Sequence, residues 1–355
     1  MVQPSQGVLS TQRAKLATGA KRARWVLLAL VVVTFLTLVL ACSLGSVAIP
    51  LGDLFPACLE LIRGDSNSLA ASLLQLRLGR ALTALVTGGS LALAGVMMQA
   101  LLRNPLADPY VLGLSGGASV GALAVLFFFG VSWLVDLAAF GGAMAVAALL
   151  FLLAYRDLRG MSSGSVEGNS SILLLTGVII AAGCGALVTL MLSIAADGQL
   201  RGMVFWMIGD LSSASVRYSA WFILALSFIF ALRSARAMNV AAMHADHAAT
   251  LGIQIGTLRQ SLFVFASLLT ASAVSGAGSI GFVGLIIPHA CRFAFGADHR
   301  LLIPAATLLG GAFLVFADTL ARTVLAPQQL PVGVITALIG VPVFLLQLHQ
   351  LRVRR

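Results

Sequence analysis

Arg-Asn-Pro-Leu-Ala-Asp-Pro-Tyr-Val-Leu-Gly-Leu-Ser-Gly-Gly-Ala-Ser-Val-Gly, residues 103–121, joins one long apolar segment to the next, and its reading decides the fold. Pro105 and Pro109 remove backbone donors and push the residues before them out of helical geometry, so the chain turns here. Asp108 is placed to cap the next helical turn. Beyond the turn, Gly113, Gly117 and Gly121 recur at every fourth position and leave a strip without side chains along one side of a helix. Such a strip lets another backbone approach closely, so it reads as a helix-packing groove, with direct substrate contact as the alternative. The stretch is a hinge between two membrane helices.

Composition supports that frame. A chain of 355 residues with 59% hydrophobic and 10% charged residues, and a mean hydropathy of +1.02, has apolar runs too long to be covered by its own polar surface. It reads as an all-α polytopic membrane protein. The formal charge of +10 is spread singly at the ends of apolar runs rather than in a stripe, which excludes a nucleic-acid surface and marks topology instead. Cys42, Cys58, Cys184 and Cys291 are far apart and form no CxxC pair, so they define no metal or disulfide framework.

Ten apolar runs are long enough to be candidate spans: 25–44, 80–102, 111–131, 133–154, 172–196, 218–234, 260–277, 280–295, 301–321 and 332–349. They make one ten-helix transmembrane domain over 25–349, flanked by basic tails at 1–24 and 350–355. With the N-terminal tail inside, sixteen of the 22 basic residues fall on the inner side, and Arg63, Arg77, Arg80, Arg201, Arg217 and Arg322 lie outside. That is the positive-inside bias, with both termini cytoplasmic. Spans 2–5 and 7–10 then run in opposite senses, and each set holds a Gly/Pro-broken connection followed by a Gly-Leu element, the pattern of an inverted repeat.

Arg77 and Arg80 stand where a helix enters the outer leaflet, suited to interfacial snorkelling or to docking an acidic partner. Residues 199–217 read as a short amphipathic helix on the outer surface, with Trp206 and Trp221 at interface depth. The inner connection 235–259 is Ala-rich, broken at Gly252, and reads as two short cytoplasmic helices. His244 and His247 share a face there, but no third ligand accompanies them, so a partner-facing helix is favoured over a metal site. Asp318 and Arg322, four apart, form an internal ion pair.

Enzyme signatures are missing: there is no GxSxG, no HExxH and no P-loop, since Lys15 and Lys21 are the only lysines and each follows Ala. The spans hold few ionisable residues, whereas ion-coupled carriers bury acids or histidines near the midplane. Energy therefore comes from outside the chain.

Three motifs in order, residues 103–118, Gly-Phe-Val-Gly-Leu-Ile-Ile-Pro-His-Ala-Cys-Arg (281–292) and Leu-Pro-Val-Gly-Val-Ile-Thr-Ala-Leu-Ile-Gly-Val-Pro-Val-Phe (330–344), resemble the FecCD-type permeases. These are membrane subunits of type II ABC importers for iron–siderophores, haem and cobalamin. The resemblance covers the chain from about residue 25 onward. It implies a ten-helix permease in a bacterial inner membrane that pairs with a second copy as a homodimer, with two cytoplasmic ATPase subunits carrying ATP and Mg²⁺, and with a periplasmic substrate-binding protein. No cofactor or metal belongs to this chain on that pattern. By resemblance, Arg77, Arg80 and Arg322 dock the binding protein, although Leu-Gly-Arg at 78–80 replaces the usual Leu-Pro-Arg. The region 239–256 matches the coupling helices, nominating Asn239, His244, His247, Leu251 and Gly252. The fifth span matches the pore helix, nominating Thr176, Gly177, Ile180, Gly183, Cys184 and Leu187. Arg201, beside Phe205 and Trp206, is a candidate contact for the carboxylates of haem, the cargo placed ahead of ferric siderophore and cobalamin, or a headgroup anchor. The competing readings are an ion-coupled secondary carrier and a membrane scaffold without transport.

Overall fold

The computed structural model of the protein describes residues 6–45, 50–63, 68–158, 166–212, 216–243 and 254–353. Those residues form helices and connections only: α1 (Gln6–Ser43), α2 (Leu51–Arg63), α3 (Leu69–Leu102), a 3-10 turn (Pro109–Leu112), α4 (Leu114–Phe128), α5 (Ser132–Leu153), α6 (Tyr155–Leu158), α7 (Val166–Ile194), α8 (Asp197–Ile208), α9 (Tyr218–Met243), α10 (Ile255–Ala277), α11 (Val283–Phe295), α12 (His299–Thr323) and α13 (Val332–Val353). Ten of these match the ten apolar runs one for one. Seven are long and apolar enough to cross a membrane, and α4, α11 and the apolar part of α13 are shorter.

The two shortest spans have a common cause. α4 starts only after Gly113 at φ 81, and α11 only after Phe282 at φ 71. Each apolar run is thereby split into a turn and a short helix. At the first break Asp108 accepts the backbone N–H of Tyr110 at 2.8 Å, the expected cap, and the Tyr110 hydroxyl accepts the N–H of Ile280 at 3.2 Å from the second break. The two hinges are therefore tied to each other.

α3 is the centre of the fold, with 89% of its apolar window buried against 22% for α1 and α7. Lipid tails give helices no hydrophobic reason to associate, so close packing has to do it. A Cβ on Gly88 would lie 2.3 Å from the carbonyl oxygen of Gly310, and one on Gly95 would lie 1.9 Å from that of Gly284. Glycine thus sets α3 backbone-to-backbone on α12 and α11. On the other side α10 packs on α4 and α5, while α3 and α10 pack on each other. Exchanging the set α3, α4, α5, α7 with the set α10, α11, α12, α13 preserves these neighbours, as an inverted repeat requires.

Some boundaries differ from expectation. α3 begins at Leu69, not near residue 80, so Arg77 and Arg80 lie inside a helix. At 34 residues it is about 51 Å long, more than the roughly 30 Å of a hydrocarbon core. α9 continues unbroken to Met243 because the Ala-rich sequence after residue 234 sustains a helix. The short helix expected over 199–217 is confined to Asp197–Ile208, where Gly209 at φ 87 ends it, and its apolar residues are not gathered on one face.

Candidate functional site

Arg77 and Arg80 are three apart on α3, and Asp318 and Arg322 four apart on α12, so each pair shares a helix face. Because α3 and α12 pack along their lengths, the pairs meet. Arg80 grips Asp318 with its fork, Nε donating to Oδ1 and Oδ2 at 3.0 Å each and Nη2 to Oδ1 at 2.8 Å. Its Nη1 donates to Oε1 of Gln329 at 2.9 Å. From the other side Arg322 Nε lies 3.2 Å from Asp318 Oδ2, so one carboxylate serves two guanidiniums.

The same arginines hold the end of α1. Arg77 Nη1 donates to the carbonyls of Cys42 at 3.0 Å and Ser43 at 3.1 Å, and Arg322 Nη2 donates to that of Ala41 at 3.3 Å. These are last-turn carbonyls without intrahelical partners, at the negative end of the α1 dipole. Arg77, Arg80 and Arg322 are 7%, 8% and 8% exposed, so the guanidiniums do not snorkel to the interface but sit within the subunit. The ion pair Asp318–Arg322 was legible as an i, i+4 spacing. Arg80 and Gln329, remote in sequence from Asp318, were not.

At the other end of α12, about 37 Å away for 25 residues, Asp298 caps the helix by accepting the N–H of Arg300 at 3.0 Å. Asn239, near the end of α9, clamps this cap: its Nδ2 donates to Asp298 Oδ1 at 2.7 Å, and its Oδ1 accepts the N–H of His299 at 2.9 Å. Partial burial would raise the Asp298 pKa, but the Arg300 N–H, the Asn239 amide and the charge of Arg300 together hold it below the ordinary carboxylate range. Arg103, left-handed at the end of α3, donates to the carbonyl of Ala241 at 2.6 Å. Of the coupling candidates, Asn239 joins this cluster, while His244, His247, Leu251 and Gly252 lie outside the described residues. Asp298 and Arg103 were missed, although an Asp just before a helix is a readable capping signal.

The α7 candidates divide between two faces. Gly177 and Cys184 are buried against the chain's own hinge and α4: a Cβ on Gly177 would meet Leu112 Cα at 2.8 Å, and one on Gly116 would meet Cys184 Cβ at 2.9 Å. Those two therefore pack inside the subunit instead of lining an open surface. Gly183 and Leu187 are exposed, and Thr176 and Ile180 are half-buried. In the hinge strip, a Cβ on Gly117 would meet the Gly142 carbonyl oxygen at 2.5 Å and one on Gly121 that of Ala138 at 2.1 Å, which seats α4 on α5. Gly113 faces α7, with Ala181 N 3.1 Å from its Cβ position.

Arg201 is exposed on α8, its guanidinium 5.5 Å from the centre of the Phe205 ring. Alongside α8 is a cavity of about 460 Å³ walled by Trp133, Phe205 and Trp206, with an Asp136–Arg217 ion pair and Asp210 among its polar groups.

Comparison with known proteins gives one answer. Residues 27–350 match the model of the FecCD transport family. The chain is 39% identical over 280 residues to the hemin transport system permease protein HmuU of Yersinia pestis, covering 77% of this chain and 81% of that one. It is 37% identical over 327 residues to the vitamin B12 import system permease protein BtuC of Shigella boydii, covering 91% and 94%. Among solved structures, it superposes with a TM-score of 0.79 and 29% identity on a metal-chelate type ABC transporter in an inward-facing conformation, over 92% of this chain and 99% of that one.

Proposed function

The chain belongs to the FecCD transport family, and from that premise we propose that it is the membrane-spanning subunit of an ABC importer that moves a metal chelate into the cytoplasm by alternating access. The observation that carries this reading is the gathering of three guanidiniums at one end of the bundle. Arg80 and Arg322 share the carboxylate of Asp318, and Arg77 beside them donates to the main-chain carbonyls of Cys42 and Ser43. Three guanidiniums gathered in one place suit an acidic face of a periplasmic binding protein, giving orientation and on-rate.

At the opposite end, the Asn239–Asp298 contact ties α9, which leads into the coupling region, to α12. ATP and Mg²⁺ are bound and consumed on two cytoplasmic ATPase subunits, whose movement reaches the permease there. The second permease copy is an identical chain, and the cargo passes between the two copies in the bacterial inner membrane with all termini cytoplasmic. Haem is the first cargo to test, because the Arg201 guanidinium beside the Phe205 ring offers a cation and an aromatic face to a flat, carboxylate-bearing macrocycle. Ferric siderophore and cobalamin come next.

The test is uptake into proteoliposomes holding this permease and its ATPase, with haem, cobalamin or a ferric siderophore each presented on the cognate binding protein. One cargo accumulates with ATP alone as the energy source, and uptake collapses in assembled Arg77→Glu/Arg80→Glu transporters. Uptake that ignores ATP and follows an imposed ion gradient overturns the reading in favour of a secondary carrier.

A further inference from the structure

Each docking arginine is already engaged. Less than a tenth of each is exposed, and the end of α1 helps to cover them: a Cβ on Gly45 would lie 2.6 Å from Arg77 Nη2. A carboxylate from outside cannot reach these guanidiniums until something now bonded to them gives way. The acceptors in place are unequal. Asp318 is almost fully buried and its carboxylate is held by Arg80 through several short bonds, whereas Ala41, Cys42 and Ser43 offer neutral carbonyls at 3.0–3.3 Å. A guanidinium–carboxylate contact carries charge on both partners and engages the fork through more than one bond, whereas a guanidinium–carbonyl bond carries charge on the donor alone. An arriving carboxylate therefore exchanges with the carbonyls and leaves Asp318 in place.

We infer that the last turn of α1 is a built-in stand-in for the binding protein, holding Arg77 and Arg322 until a carboxylate of the docking face displaces it and frees the end of α1. The inference rests on the docking reading above and adds its mechanism. α1 packs mainly on α12 and α3. Releasing its end turns a contact at the outer surface into a change of restraint on the two helices at the centre of the bundle.

Hydrogen–deuterium exchange on the complete transporter in nanodiscs tests this, read on a peptide covering residues 40–45 with and without the cognate binding protein, while binding is followed by interferometry. In the undocked state the Leu44 N–H donates to the Leu40 carbonyl at 2.9 Å, and that bond reports the last turn. Docking should speed exchange of the peptide about threefold or more by local opening. Arg77→Lys keeps the charge but loses the fork that reaches two carbonyls. The peptide should then exchange faster before docking, and docking should add little. If the binding protein binds wild type but exchange at 40–45 is unchanged or slower, the stand-in is wrong and docking survives. An undocked Arg77→Lys transporter that exchanges like wild type also overturns it. If no binding to wild type occurs, the docking reading falls and takes this inference with it.

Discussion

At the scale of single residues, Asp318 determines how much positive charge the arginine cluster can hold. It is 1% exposed and flanked by Arg80 and Arg322, so removing it leaves two buried guanidiniums without the carboxylate they share. Breaking a buried pair from one side costs about 3–5 kcal/mol. Asp318→Ala should therefore lower the thermal unfolding midpoint measured in detergent, and adding Arg80→Met should recover part of the loss. Half of this cluster was readable in advance, since Asp318 and Arg322 are neighbours on one helix whatever the fold. Arg80 was nominated beside Arg322 by the resemblance, but its pairing with Asp318 was not readable, because its approach depends on how α3 and α12 are aligned, which no local spacing records. A second residue prediction concerns Asp298 at the opposite end. Its depressed pKa means that it contributes stability at neutral pH, and the contribution is lost as pH falls through that depressed value. Asn239→Ala removes one of the donors responsible. The gap in unfolding midpoint between wild type and Asn239→Ala should be widest near pH 7 and should narrow as pH falls below the ordinary carboxylate pKa of about 4 and through the depressed wild-type value, leaving the part due to the lost His299 N–H bond.

At the scale of elements, glycine decides which helices touch. The recurrence of Gly113, Gly117 and Gly121 announced a bare strip, but which helix lies on it depends on tertiary packing. The strip is shared, with Gly117 and Gly121 against α5 and Gly113 against α7. The same limit explains α7, where a run of small and apolar residues gives no rotational phase and so placed buried Gly177 and Cys184 beside exposed Gly183 and Leu187. The α4–α5 contact can be tested directly. A methyl group on Gly121 would sit 2.1 Å from the Ala138 carbonyl oxygen, a backbone atom that cannot swing aside, whereas one on Gly141 of α5 meets nothing within 4 Å. Gly121→Ala should destabilise the permease by about 1–3 kcal/mol, the usual cost of overpacking, and Gly141→Ala should leave the unfolding midpoint near that of wild type.

At the scale of the whole molecule, α12 is the element that, on the proposed function, reaches from the docking end to the coupling end. Its first turn is held by Asn239 through Asp298 and His299, and its last carries Asp318 and Arg322. Between them it lies on α3 with glycine at the contact, where Gly88 and Gly310 leave no side chain to deform. A helix packed this closely responds to force at either end by moving as a body, since packed interfaces are bistable rather than continuously deformable. Loosening the inner attachment should then separate the two ends without disturbing the outer one. In Asn239→Ala transporters the binding protein should dock with an affinity within about twofold of wild type, because the arginine cluster is untouched and distant sites act independently. Stimulation of ATP hydrolysis by docked, loaded binding protein should nonetheless fall severalfold, and ATP-driven uptake with it. If docking weakens in step with stimulation, the two ends are not joined by α12 in this way; if stimulation survives intact, the signal passes through another element, of which α10, the counterpart of α3 in the repeat, is the next to test.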